Sequence, residues 1–250
     1  MDDMRLSIRG GLQDYIDHLG SESPSMNVNY IDHLGSDLTI VNAARVSLDK
    51  WKDAFDEHDD RLMRYLAREN HISPFFHASL QLRIEAPIFV ARQWFRSAIG
   101  VARNEVSRRY VDDPPTFHLP DAWRSRPEAS IKQGSGGPLD EVKQVKAAHT
   151  YMKALGSCER AYGDLLAMGV APEQARMILP QSMMTKWIET GSLAYFARVC
   201  QLRQDTHAQV EIQRLAEQVG EVVGRVFPVA WSVLMGRRVD GTAQPEPVPG

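Results

Sequence analysis

Residues 78–99 change their hydrophobic period once, at Pro87, and no other feature restricts the architecture as much. In ASLQLRIEA (78–86), Leu80, Leu82 and Ile84 alternate with Gln81, Arg83 and Glu85, the period of a half-buried strand. Pro87 suits the first turn of a helix. In PIFVARQWFRSAIG the apolar residues Ile88, Ala91, Phe95 and Ile99 recur at helical spacing, which predicts a helix over 87–99.

Elsewhere the pattern is coarser. EHDDRLMRYLAREN (57–70) predicts an amphipathic helix with Leu62, Tyr65 and Leu66 on one face, broken at Pro74. Val28 and Tyr30, followed by Leu38-Thr39-Ile40-Val41, read as strand. Residues 111–138, rich in Pro, Gly and Ser, predict a long surface loop. Helices are expected from Asp140 to Gly169, from Pro172 to near Pro180, and as one long element from about Ser192 through AQVEIQRLAEQVGEVVGRV. YIDHLGS occurs at 15–21 and again at 30–36, a local duplication or a swapped edge strand. The organisation expected is an N-terminal extension (1–26), one domain (27–240) and a disordered tail (241–250). The fold class is α+β, a mixed sheet flanked by long helices.

Charge and composition exclude several functions. Net charge is −3, so a general attraction to nucleic acid or an anionic membrane is not supported. No apolar run reaches the roughly 20 residues of a membrane span, and the N-terminus lacks a signal-peptide pattern. Two cysteines, Cys158 and Cys200, make neither a disulfide framework nor a thiolate metal site. Both sit at helical positions with no histidine nearby in sequence, which disfavours a cysteine nucleophile. Neither a His-x-x-x-His helix nor a carboxylate cluster suggests a metal. The chain reads as cytoplasmic.

Against that balance, RQWFRSAIGVARNEVSRRY (92–110) places five arginines in nineteen residues. Guanidinium forks match phosphate oxygens and do not lose their charge. Arg92 and Arg96, four apart, share a face if the helix continues, and NEVSRRY adds an acid, a hydroxyl and two more arginines. Such a mix suits an anionic ligand with hydrogen-bonding edges; a solvated arginine-rich face is the alternative.

The order of these residues resembles the signature of the flavin-dependent thymidylate synthases: Arg-His-Arg, seven residues, Ser, one residue, Arg-Tyr. APIFVARQWFR leads in as that family does. Arg96 matches the first arginine, Glu105 the acid before the serine, and Ser107, Arg109 and Tyr110 the end. HISPFFH (71–77) is similar to the family's His-x-Thr/Ser-Pro-Phe-x-His element and DHLGSDLTIVNAARVS (32–47) to its N-terminal segment. ARMILP (175–180) resembles Ala-Arg-x-x-Leu-Pro, and LRQDTHAQVEIQ (202–213) resembles Leu-Arg-x-x-x-His-Ala-Gln-x-Glu-Ile. On these five matches, in order, the chain is identified as a member.

The resemblance implies dUMP and methylenetetrahydrofolate as substrates, FAD as cofactor and NADPH as its reductant. Arg203 corresponds to the catalytic cation beside the uracil, where a fixed charge would meet a developing anion. Gln93, Arg96, Glu105, Ser107, Arg108, Arg109, Arg176 and Arg203 correspond to dUMP contacts. His71, Ser73, Arg96, Ser97, Ala98, Glu105, Ser192, Arg198 and His207 correspond to flavin contacts. A homotetramer with sites at subunit interfaces is also implied. Three features depart from the pattern. Ser97 and Ala98 replace the His and second Arg, eight residues separate Ala98 from Ser107, and Ser192 and Arg198 stand where Asn or His is common. A rebuilt flavin side leaves two other outcomes open: hydration of the adduct to 5-hydroxymethyl-dUMP, or a silent nucleotide-binding homologue.

Overall fold

The computed structural model describes residues 24–110, 113–127 and 134–236. Residues 1–23 of the expected extension, the first YIDHLGS copy and the 241–250 tail lie outside the described residues. The elements are β1 (Asn27–Leu34), α1 (Asp37–Arg45), α2 (Glu57–Arg68), β2 (Ser79–Pro87), α3 (Ile88–Trp94), β3 (Val101–Glu105), α4 (Glu141–Ala167), α5 (Pro172–Ala175), β4 (Met184–Ser192), α6 (Leu193–Arg203), α7 (Val210–Val226) and α8 (Pro228–Leu234). The four strands form one sheet in the order β1-β2-β4-β3. The class is α+β, with the sheet antiparallel rather than mixed.

Contacts divide the chain into two compact units. The first holds Glu85–Gln93 and Glu105–Lys186, the second Asn27–Ile84, Trp94–Asn104 and the chain from Trp187 on. In the second, Leu80, Leu82 and Ile84 are buried as their alternation predicts. On α7, Ile212, Leu215, Ala216, Val219 and Val223 bury one helical face. Each large apolar side chain so covered contributes about 1.5–3 kcal/mol. In the first unit, α4 starts where Asp140 accepts the Lys143 N–H and ends before Gly169, whose φ of +82° suits a residue without Cβ.

Three expectations are corrected. Leu38–Val41 is helical, in α1. Gly35 (φ +82°) ends β1, the Ser36 N–H donates to Thr39 Oγ1 at 3.0 Å, and Asp37 in the first turn complements the helix dipole. A four-residue apolar run does not by itself distinguish a buried helix from a strand.

The helix expected over 87–99 stops at Trp94. The Ser97 N–H donates to the Trp94 carbonyl at 3.1 Å, Gly100 adopts φ +78°, and the chain enters β3. Arg92 and Arg96 therefore do not share a helical face. The single long C-terminal helix is likewise three elements, α6, α7 and α8. Asp205 accepts the His207 N–H at 2.7 Å, and the Ala208 N–H bonds to the Asp205 carbonyl at 2.9 Å. That local turn competes with helix continuation. Pro228 ends α7, with Phe227 before it in an extended-side conformation (ψ +68°).

Candidate functional site

The turn between α3 and β3 carries the altered signature residues Arg96, Ser97 and Ala98, and it lies in the second unit. The residue that lengthens the signature is accommodated here. Gly100 takes a left-handed conformation with open space where a Cβ would stand, which glycine adopts at no steric cost. Beneath the turn lies Glu189, fully buried on the inward face of β4. Its Oε1 accepts from Trp94 Nε1 at 3.0 Å and Tyr195 Oη at 2.7 Å. Its Oε2 accepts from Trp187 Nε1 at 2.9 Å and Arg103 Nε at 2.7 Å. One of the five arginines thus has its anion inside the protein.

Arg96 and Arg203 are electrostatically coupled in the same unit. Burial disfavours the charged form of Arg203, and the Arg96 cation disfavours it further. Two guanidiniums held so that one destabilises the other favour an anionic ligand. Arg203 closes α6, and four residues beyond it His207 is exposed, with Nδ1 2.9 Å from Asp205 Oδ1. The His207 amide and ring hold the Asp205 carboxyl below its ordinary range.

A cavity of about 660 Å³ opens in this unit, within the roughly 300–1,000 Å³ of small-molecule sites. Ile72, Phe76 and Ile99 supply apolar wall; Arg64, Arg68 and Arg198 supply cations. Arg198 was expected at the flavin, and here it also lies 3.5 Å from the Ile99 carbonyl. His71 and Ser73, both exposed, flank Ile72, and the His71 ring sits 6.0 Å from Tyr65. Ser192 is the N-cap of α6, its Oγ accepting the Tyr195 N–H at 3.1 Å.

The first unit holds Gln93, Glu105, Ser107, Arg108, Arg109 and Arg176. Glu105 ends β3 and accepts from Thr185 Oγ1 at 2.6 Å. Ser107 Oγ accepts from the Arg109 backbone N–H and from its Nε, at 3.4 and 3.3 Å. The Arg109 guanidinium lies 5.1 Å over the Tyr110 ring. Arg108 instead donates to the carbonyls of Asp113 and Pro114, so it ties down the chain that follows. Arg176 opens a 3₁₀ turn and donates to the Glu173 carbonyl at 3.3 Å. Gln93 Nε2 reaches the Phe89 carbonyl one turn back.

Cys200 is fully buried, its thiol 3.5 Å from the Ala216 carbonyl. Burial and the Glu189 charge push its pKa up, which denies it a thiolate at neutral pH. Among the described residues no group of three or more His, Cys, Asp or Glu could hold a metal ion, and no helix is long and apolar enough to cross a membrane.

Sequence reasoning missed Glu189, Arg103, Arg64 and Arg68. A signal for Glu189 was present. MTKWIETGS alternates, with Thr185, Trp187, Glu189 and Gly191 inward and Lys186 and Ile188 outward. A carboxylate on the buried register of a strand requires internal donors. No local pattern marks Arg64 and Arg68, which share a face of α2 with ordinary surface residues.

Residues 29–229 match the family model described as thymidylate synthase complementing protein. A flavin-dependent thymidylate synthase of Thermosipho africanus is 38% identical over 188 residues, 75% of this chain and 81% of the relative. One from Thermus thermophilus is 35% identical over 81% of this chain and 73% of its own length. Among solved structures, the UMP/dUMP methylase PolB from Streptomyces cacaoi, bound with 5-Br dUMP, superposes with a TM-score of 0.74. It is 32% identical, covering 87% of this chain and 98% of the methylase. The same methylase bound with 5-Br UMP gives a TM-score of 0.76 at 28% identity, over 88% and 97% of the two chains.

Proposed function

The chain belongs to the thymidylate synthase complementing protein family, and from that premise we propose that it is a flavin-dependent thymidylate synthase. In this reading it transfers a one-carbon unit from methylenetetrahydrofolate to C5 of dUMP and yields dTMP. The observation that carries the reading is the coupling of Arg96 to Arg203. A pair of mutually destabilising cations is suited to a ligand that is anionic at its phosphate and becomes anionic at its ring.

Arg203 serves as the fixed cation at the N3–C2=O side of the uracil, where charge develops as C5 becomes nucleophilic. Ser107, Arg109 and Arg176 take the phosphate and sugar edges, with Gln93, Arg96 and Glu105 completing the nucleotide contacts. Arg108, committed to two backbone carbonyls, orders the segment rather than touching the nucleotide. Neither cysteine serves as a nucleophile.

The residues present fit a flavin. A cavity with apolar walls and three guanidiniums suits an aromatic ring joined to a pyrophosphate. Arg198, His71, Ser73 and His207 hold FAD there, with Arg96, Ser97, Ala98, Glu105 and Ser192 at the positions the resemblance assigns. When bound and reduced by NADPH, FAD supplies the hydride equivalent that converts the transferred methylene to methyl. The protein's part is to orient the pyrimidine, hold its charge and exclude water. We further propose a cytoplasmic homotetramer with sites at subunit interfaces, supported by the exposure of Trp51, Ile99, Tyr110 and Met177 on the single chain.

The sugar specificity has a second reading. The solved neighbour is named for both UMP and dUMP and is bound with a bromo derivative of each, which favours testing the ribonucleotide as well. The experiment is mass spectrometry of dUMP or UMP after incubation with methylenetetrahydrofolate, with FAD and NADPH present or omitted. A methylated product that requires both cofactors is the expected result. A hydroxymethylated product would replace the synthase reading with hydration, and unchanged nucleotide in every mixture would leave a binding protein.

A further inference from the structure

We propose that Arg103 and Glu189 form a positioning pair, specific to this altered signature, that holds the Arg96-Ser97-Ala98 turn in its binding conformation. The inference rests on the proposed function for what the turn binds, but not for how the turn is held.

Arg103 sits on β3, an edge strand of the sheet, yet its side chain is 14% exposed. Its guanidinium makes three attachments. Nε donates to Glu189 Oε2 at 2.7 Å. One terminal nitrogen donates to the Ser97 carbonyl at 2.6 Å, and also to the Tyr195 hydroxyl. The plane lies 5.1 Å over the Phe95 ring and 5.7 Å over that of Tyr195. The side chain therefore reaches back across its own loop and closes it, with Phe95 on one side and the Ser97 backbone gripped at the tip.

Closure is needed here for a stated reason. Ser97 and Ala98 are too short to anchor the turn through their own side chains, and Gly100, at φ +78° with nothing around it, leaves the backbone soft. Of the interactions described in this turn, the Arg103 to Ser97 bond is the one that fixes the backbone beside Arg96. Glu189, buried at 0% exposure with no water to replace its partners, holds Arg103 in place. The Trp94, Trp187 and Tyr195 donors in turn hold Glu189. A planar fork is required, because one nitrogen goes to the carboxylate and another to the carbonyl; an ammonium at the end of a flexible stem meets the first demand without the second.

The test is Arg103→Lys in the full chain, since lysine keeps the charge opposite the buried carboxylate and so preserves the fold. Three quantities are compared with wild type: melting temperature, FAD affinity by quenching of flavin fluorescence, and amide hydrogen exchange over residues 96–102. Exchange at 96–102 should quicken, and FAD should bind more weakly, each by about tenfold or more as one charge-assisted bond is lost, while the melting temperature stays within a few degrees. The double variant R103Q/E189Q replaces the ion pair with neutral hydrogen-bonding groups. It should fold and still show the fast exchange. Unchanged exchange at 96–102 in R103K would overturn the proposal. So would faster exchange spread evenly along the chain with a matching fall in melting temperature and unaltered FAD affinity. If wild-type protein binds no flavin, the exchange result alone decides the positioning role, and the functional reading is what fails.

Discussion

The Asp37 carboxylate accepts the Ala230 N–H at 3.0 Å, and the neighbouring Val229 N–H at 3.1 Å, across more than 190 residues of sequence. The first residue of α1 thereby caps the last helix described, α8. Asp37→Ala should cost about 1 kcal/mol, the usual loss when an N-cap acceptor is removed, read as a lower melting temperature. Burial raises the Asp37 pKa above its ordinary 3.8, with the two amides opposing. A raised carboxyl favours the protonated folded form. That contribution is present below pH 3.8 and lost as pH rises through the folded value. Asp37→Asn, uncharged and still an acceptor, should therefore match or exceed wild type at pH 7, while the alanine variant does not.

Asp56 gives the opposite sign. The Lys52 ammonium beside it, and the His58 and Asp59 amides at the start of α2, hold its pKa down to about 2. The stability it contributes is complete above its ordinary 3.8 and fades as pH falls toward about 2. Melts of wild type and Asp56→Asn taken in parallel should differ at pH 6 and converge near pH 2. A gap that persists at the acid end would refute the assignment.

Arg203→Gln should separate activity from stability. Loss of the cation beside the pyrimidine should lower kcat by about 10²–10³, the scale for removal of one preorganised charge-stabilising group. The melting temperature should hold or rise, because burial and Arg96 both disfavour the charge on Arg203. Steady-state rates with dUMP and a thermal melt of the same preparation test both halves.

At Gly100 the added residue of the signature carries a backbone angle of +78° with no atom within 4 Å of a would-be Cβ. Gly100→Ala should then cost about 1–2 kcal/mol through left-handed backbone strain alone. Asparagine, which tolerates that region better, should cost less. A chemical-denaturation series over Gly, Asn and Ala would order the three; equal stabilities would show that the turn relaxes.

Much of the fold was legible locally. The change of period at Pro87 located β2 and the start of α3, and the 57–70 pattern located α2 to within two residues. Gly169 marked the end of α4. The failures share a cause. Thr39, Ile40 and Val41 favour strands, but the Ser36–Thr39 hydrogen bond and the cap that Asp37 provides to α8 belong to a helix start. Phe95 and Ile99 fit a helical stripe, yet Phe95 packs edge-on against Trp187 at 5.0 Å from within a turn.

The ordered motifs were enough to assign the family, because each motif is a local string and their succession is one-dimensional. What the arginines do was not so determined. Identical in sequence terms, they part company in the folded chain. Arg103 is neutralised by a carboxylate 86 residues away, Arg108 ties two carbonyls nearby, and Arg96 acts on Arg203. Composition and spacing establish that guanidinium groups are present, whereas burial and the partners brought by distant strands decide which remain available to a ligand. Desolvation and hydrogen bonding depend on all the neighbours of a group at once, and those neighbours exist only after the sheet has formed.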